Sequence, residues 1–350
     1  MSFTFRDNIE KMRGYTPGFQ PDDPAAIKIN TNENPFPPSP RVFRALARLD
    51  DEAIRRYPPV HWDEFRQVAS DVHSVEPNQI ICGNGGDELL TMLVRCCCDS
   101  NRPLTYPVPT YSLYPVLAAI QNCPTIEVPW LDDFRIPADL YGNGAALTIL
   151  CNPNAPTGTF VPVSEVADLA RKVEGVLAVD EAYVDFAEDN CLSLLREFDN
   201  VIILRSMSKG YSLAGLRFGY GIGSARIIEA MLKVKDSYNI NAATQTAAAA
   251  ALTDRDYFNK NVQRIKKQRY RLTHALRKLG FDVPDSHTNF LLCRTAGLSA
   301  QKIYEELTQR HIYIRYFNTE ALQNKLRITV GSAEQNDALL TALREILAAK

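Results

Sequence analysis

The chain has 350 residues, 45% of them hydrophobic and 23% charged, with a formal net charge of −2. That length accommodates two domains at roughly 100–200 residues each, and the composition is that of an ordinary globular protein. Near neutrality argues against a nucleic-acid binder, and no apolar run reaches the roughly 18–20 residues that cross a bilayer, so neither nucleic acid nor membrane is expected as a partner.

Eight cysteines are present: Cys82, Cys96, Cys97, Cys98, Cys123, Cys151, Cys191 and Cys293. They form no C-x-x-C pair and no metal spacing, so reduced thiols in a cytoplasmic protein with no metal are expected. The first residues, "MSFTFRDNIEKMRG", carry charges throughout and do not read as a secretion signal.

Residues 1–40 are rich in Pro, Asn and Asp and read as an extended arm. Residues 41–250 read as a large domain and 251–350 as a smaller C-terminal one. "RVFRALARL" and "HWDEFRQVASDVHSV" have helical spacing. From residue 80 short apolar strands alternate with helices. "QIICGNGGDELLTMLVRCCC" is strand, glycine turn and helix, and "LTYPVPTYSLYPVLAAIQ" is strand, aromatic loop and helix. "ALTILCNPNAPTG" is a buried strand ending in a polar turn, followed by a helix with Ser164 as its N-cap. "GVLAVDEAYVDF", "NVIILRSMSKGYSLAG" and "RFGYGIG" supply three more strands. Such alternation predicts an α/β fold with a mainly parallel sheet. Beyond residue 250 come an alanine-rich helix, the basic amphipathic run "RIKKQRYR", read as a solvated helix face, and short strands and helices that suit a small α+β domain.

Ligands of open α/β sheets bind beyond the carboxyl ends of the strands. The polar residues there are Gly83–Glu88, Asn152–Gly158, then Asp180, Glu181 and Tyr183, then Ser206, Ser208 and Lys209. "GNGGDELL" and "GYGIGSA" lack the G-x-G-x-x-G spacing, and Lys209 precedes its glycine, so dinucleotide and Walker readings fail. A phosphate site survives: amides of Gly85 and Gly86 at a helix start, completed by Ser206, Ser208 and Arg217. A phosphate, a lysine amine, a buried carboxylate and a tyrosine at one sheet edge make the set that pyridoxal phosphate requires. Its aldehyde needs an amine, its ring nitrogen a carboxylate and its phenolic oxygen a donor.

"SMSKGYSLAGLRFGY" resembles the lysine signature of fold-type-I pyridoxal-phosphate aminotransferases, and "NPNAPTG", "DEAYVDF" and "KLRITVG" resemble its companion motifs. More narrowly, "INTNENPFPPSP", "RRYPP", "GNGGDE" and "IYIRYF" are similar to the histidinol-phosphate aminotransferases, over nearly the whole chain. The resemblance implies that Lys209 carries pyridoxal 5'-phosphate as a Schiff base and moves protons. It implies that Asp180 pairs with the ring nitrogen, Tyr183 bonds the phenolic oxygen and Tyr111 stacks on the ring. Gly85, Gly86, Ser206, Ser208 and Arg217 would hold the phosphate, with Asp87 in the same turn, and Tyr57 would reach the cofactor of a second subunit in a homodimer. Arg327 would take the carboxylate of glutamate, and Arg315 or Tyr15, with Asn34 in the substrate set, the distal acid or phosphate.

Two positions depart from the family pattern. Ala155 stands where an asparagine commonly bonds the phenolic oxygen, leaving Asn154, Asn152 or Tyr183 alone for that role. Gly86 stands where serine or alanine is common. His61, His73, His274, His287 and His311 fit no ligand or triad spacing. The implied reaction exchanges an amino group between glutamate/2-oxoglutarate and histidinol phosphate/imidazole acetol phosphate, in histidine biosynthesis. The alternatives are an aromatic or broad-specificity aminotransferase, a threonine-phosphate decarboxylase, or a non-catalytic regulatory module on the same fold.

Overall fold

The computed structural model describes residues 3–295 and 297–349. Met1 and Ser2 of the arm, Ala296, and Lys350 lie outside the described residues. The arm holds α1 (Asp7–Lys11) and β1 (Ile27–Lys28), with Pro17, Pro21 and Pro24 between them keeping the chain non-helical. Then come α2 (Pro40–Leu46), α3 (Asp51–Arg55) and α4 (Asp63–His73). Ser39 caps α2 ahead of Pro40, a residue suited to the first helical position.

The sheet region runs β2 (Ile80–Gly83), α5 (Gly86–Cys97), β3 (Leu104–Val108), α6 (Leu113–Gln121), β4 (Thr125–Pro129) and β5 (Leu147–Cys151). It continues with α7 (Val163–Lys172), β6 (Val176–Asp180), β7 (Val201–Ser206), β8 (Gly219–Gly223), α8 (Ala225–Leu232) and α9 (Ala242–Leu252). Seven strands form one sheet in the order β2-β8-β7-β6-β5-β3-β4. Strands β3 to β7 are parallel, and β8 runs against both of its neighbours.

Both faces of the sheet are covered, which is why its strands read as nearly continuous apolar runs. Along β7, Ile202 and Leu204 enter the core with Leu89, Leu117 and Ala247, whereas Val201 and Ile203 enter the core with Val166 and Leu169. The reversal of β8 matters for the site. It begins where its neighbours end, with Gly219 opposite both Gly83 and Ser206. Arg217, two residues earlier, therefore arrives at the carboxyl edge.

The remainder is α10 (Arg255–Lys278), β9 (Phe290–Arg294), α11 (Ala300–Gln309), β10 (Ile312–Tyr313), β11 (Arg315–Tyr316), β12 (Lys325–Thr329) and α12 (Ala333–Ala348). Strands β11, β12 and β9 form an antiparallel sheet, and β10 pairs in parallel with β1 of the arm. Ile29 of the arm joins the core of this second region with Leu276, Leu291, Ile303 and Leu343.

Several details differ from the sequence-based expectations. Pro162 and not Ser164 stands at the N-cap of α7, because the extended proline leads directly into Val163. The strand expected over "IYIRYF" is split at Ile314, since its two halves pair with different partners. The edge strand β4 escaped notice because three of its five residues are exposed. The change of core falls inside α10, between Ile265 and Leu272, and not near residue 250, because the alanine-rich α9 packs into the first core. The basic run on α10 is more than a solvated face. Lys266 donates to Ala187 O at 2.8 Å, Arg269 to Phe186 O at 3.1 Å and Thr288 O at 2.7 Å, and Arg271 to Ala333 O at 3.0 Å. Long stems let these partly buried cations reach carbonyls of neighbouring elements.

Candidate active site

Lys209 sits on the turn after β7, beyond the carboxyl end of the strand. Its amine donates to Thr31 O at 3.2 Å and lies 5.9 Å from the Tyr183 ring centroid. Burial, then the nearby Arg327 guanidinium, lowers its pKa to about 8. The turn is fastened from the arm, where Asn34 donates to Lys209 O at 2.9 Å and Gly210 O at 3.3 Å. Gly210 lies so close to the Asp185 carboxylate that a Cβ there would collide with it.

Asp180 closes β6 and is buried. One oxygen accepts the Tyr114 hydroxyl at 2.8 Å and the other the Ala182 N–H at 3.1 Å. Burial outweighs these bonds and raises its pKa to about 6. The next residue, Glu181, is satisfied differently, by an ion pair with Arg205 at 2.8 Å and the Cys191 N–H at 2.6 Å. Two adjacent carboxylates thus have unlike surroundings: Glu181 is paired with a cation, and Asp180 has no cation partner among the described residues.

Tyr111 stands edge-on to Tyr114 and Tyr15, at centroid distances of 5.7 and 6.0 Å, and its hydroxyl donates to Asp87 at 3.2 Å. Asp87 also faces Arg217, Nη2 to Oδ2 at 3.4 Å. Gly85, at φ +86°, caps α5 in a conformation that favours glycine, and a Cβ there would lie 2.6 Å from Arg217 Nη2. Gly86, Asp87, Arg217, Ser206 and Ser208 therefore share one edge with the N-terminus of a twelve-residue helix, and Ser206 Oγ accepts the Ser208 N–H at 3.2 Å.

On the other side, Arg315 and Arg327 are direct cross-strand neighbours on β11 and β12. Their guanidinium groups lie 5.2 and 5.4 Å from the Phe317 ring centroid. Arg327 donates to Asn30 O at 3.0 Å, and its Nε is buried without a hydrogen-bond partner among the described residues. Two cations side by side with an unsatisfied buried donor make a site for an anion.

Three expectations change, all at asparagines. Asn154 does not face the expected role, because its amide donates to Pro109 O at 3.1 Å and Thr157 Oγ1 at 2.9 Å while its oxygen accepts from Thr110 at 2.9 Å. Asn152 is tied by both amide atoms to Val161, at 2.9 and 2.8 Å. Asn34, expected in the substrate set, is spent on the lysine turn and on the Phe36 N–H. Tyr57 is away from the others, 79% exposed and stacked on Tyr238 with centroids 4.3 Å apart. Tyr15 stays at the rim through Tyr111. The sequence reading missed Tyr114 and Asn32, whose amide donates to the Tyr183 hydroxyl at 2.9 Å. Both lie within quoted motifs, so proximity to Tyr111 and Asn34 was their only signal.

The donor set fits pyridoxal phosphate. It offers an amine whose pKa is lowered to about 8, a buried carboxylate with no cation partner among the described residues, a glycine turn that a guanidinium approaches closely, and two arginines side by side.

Residues 24–343 match the family Aminotransferase class I and II. The chain is 46% identical to histidinol-phosphate aminotransferase 1 of Trichormus variabilis, over 99% of this chain and 100% of that one. It is 43% identical to the histidinol-phosphate aminotransferase of a Geobacter species, over 97% and 98% of the two chains. The crystal structure of histidinol-phosphate aminotransferase from Sinorhizobium meliloti in complex with pyridoxal-5'-phosphate superposes with a TM-score of 0.89 at 26% identity, over 99% of each chain.

Proposed function

Since this chain belongs to the class I and II aminotransferase family, we propose that it exchanges an amino group between glutamate and the keto acceptor that becomes histidinol phosphate. It is an enzyme of the fold-type-I class and uses pyridoxal 5'-phosphate. The observation that carries the reading is Lys209, an amine lowered to about 8 on the same sheet edge as Asp180 and Arg217.

When bound, pyridoxal phosphate supplies an aldehyde that a lysine can hold covalently and a protonated ring that draws electrons from the substrate α-carbon. The protein's part is as follows. Lys209 Nζ, its pKa lowered to about 8 so that a fraction of it is the neutral amine at physiological pH, takes a proton from the substrate α-carbon and returns it to a neighbouring atom. Asp180, its pKa raised to about 6 by burial, would be held as a carboxylate by the cationic ring nitrogen of the bound cofactor. Tyr183 would donate to the phenolic oxygen, and Tyr111 would lie against the ring. Gly85, Gly86, Ser206, Ser208 and Arg217 would bind the phosphate, with Asp87 orienting Arg217. Arg327 binds the α-carboxylate, and Arg315 with Tyr15 meets the distal acid or phosphate. One cation on a flexible stem serves both distal groups.

A homodimer completes the site. Tyr57, Ile54 and Phe43 are 79%, 67% and 58% exposed, and an apolar surface of that kind suits a second copy that would receive Tyr57 at its phosphate. The eight cysteines are all free thiols, which supports a cytoplasmic setting. No helix among the described residues is long and apolar enough to cross a membrane.

The test is a substrate panel. Purified holoprotein with 2-oxoglutarate is given histidinol phosphate, phenylalanine or threonine phosphate, and both 2-oxoglutarate loss and carbon dioxide release are followed. Histidinol phosphate is expected to give the highest kcat/KM, without carbon dioxide. A preference for phenylalanine, or carbon dioxide from threonine phosphate, overturns the assignment.

A further inference from the structure

Asn32 stands in the left-handed region of the backbone, at φ 58°, and is buried. Its side chain is held at both ends. Oδ1 accepts the Thr329 hydroxyl at 3.0 Å, and Nδ2 donates to the Tyr183 hydroxyl at 2.9 Å. Its backbone is held too: the N–H donates to Thr329 Oγ1 at 3.0 Å, and the carbonyl accepts from Asn289 at 2.9 Å. Thr329 settles which way the amide faces. Turned over, the amide would leave the buried Thr329 hydroxyl proton with no acceptor among the described residues, whereas the observed orientation satisfies both groups.

This fixes the direction of the bond to Tyr183. The amide nitrogen can only donate, so the phenol oxygen accepts. The Tyr183 proton cannot point back at Asn32 and is directed elsewhere. The neighbouring amides cannot do its work. Ala155 has no polar side chain, Asn154 is committed to Pro109, Thr110 and Thr157, and Asn152 is committed to Val161.

We propose that Asn32 is a positioning residue that aims the Tyr183 hydroxyl proton at the cofactor's phenolic oxygen, making Tyr183 the sole side-chain donor there in a chain that has Ala155 at the usual asparagine position. This rests on the reading of Tyr183 given above. Proton aim is a stronger requirement here than in a site with two donors, because no second bond compensates for its loss.

The test exploits the one-way character of the bond. Asn32→Asp keeps the shape, the tolerance for positive φ and the bond from Thr329, but a carboxylate only accepts. It turns the Tyr183 proton back towards the side chain at position 32. A donor on the phenolic oxygen competes for that oxygen with the proton of the lysine–cofactor linkage, so losing the donor lets the linkage keep its proton to higher pH. The readout is the absorbance of the holoprotein titrated with pH, in wild type, Asn32→Asp, Tyr183→Phe and the double variant. Asn32→Asp and Tyr183→Phe are each expected to raise the midpoint by about one pH unit. The added negative charge acts in both backgrounds, so the diagnostic is the difference: Asn32→Asp must shift the midpoint clearly less when Tyr183 is already Phe. Equal shifts in the two backgrounds, or none, overturn the role of Asn32 while leaving the cofactor reading intact. A holoprotein without any titrating band would instead overturn the reading beneath it. If Asn32→Asp does not fold, Thr329→Val, which frees the amide to turn over, is read in the same way: a rise absent in the Tyr183→Phe background supports the proposal, and no rise contradicts it.

Discussion

The Tyr114 hydroxyl donates to Asp180 Oδ2 at 2.8 Å, joining α6 to the end of β6 through two buried side chains. The bond favours the charged carboxylate against the burial that pushes its pKa to about 6. Tyr114→Phe removes it and leaves the Ala182 N–H as the remaining donor to that carboxyl. In the apoprotein Asp180 then holds its proton to higher pH, and its carboxyl titration, followed by infrared difference spectroscopy, moves upward by about half to one unit. An unmoved titration would contradict this role of the bond.

Gly85 and Gly86 make a paired prediction. A Cβ on Gly85 meets Arg217 Nη2 at 2.6 Å on a backbone at φ +86°, whereas a Cβ on Gly86 meets nothing within 4 Å. Gly85→Ala is expected to weaken cofactor binding to the apoprotein about tenfold or more, through strain of about 1–3 kcal/mol and displacement of the guanidinium. Gly86→Ala should bind the cofactor nearly as wild type does. Fluorescence titration of both apoproteins with pyridoxal phosphate distinguishes them.

Lys209 should burden the apoprotein. Its folded pKa of about 8 lies below the ordinary lysine value of 10.5, so the unfolded chain binds its proton more tightly. The resulting destabilisation is fully present below pH 8 and disappears as pH rises through the unfolded value. Lys209→Met is therefore expected to stabilise the apoprotein by about 2 kcal/mol at pH 7. That gain should shrink steadily towards pH 10.5. Denaturant melts of the two apoproteins across that range check both the sign and the window.

Much of the architecture was legible because its signals are local. The apolar strands, the glycine turn at Gly85 and the lysine turn each occupy a few consecutive residues, and their order places them on one sheet edge. The reversal of β8 could not be read that way, although it brings Arg217 to the site. The positioning amides were illegible for a different reason. Asn34 finds Lys209 across 175 residues, and Asn32 finds Tyr183 across 151. Nothing local distinguishes an asparagine that binds backbone from one that binds ligand. The same ambiguity hid the difference between Asp180 and Glu181, neighbours of the same charge that their distant partners, Tyr114 and Arg205, set apart.

Lys209 as the residue that carries the cofactor is the central claim, and borohydride reduction of the holoprotein tests it most directly. The yellow colour should be lost on reduction, and peptide mapping should place one phosphopyridoxyl group on Lys209. A label on another lysine, or a colourless Lys209→Ala protein that transaminates at the full rate, would contradict it.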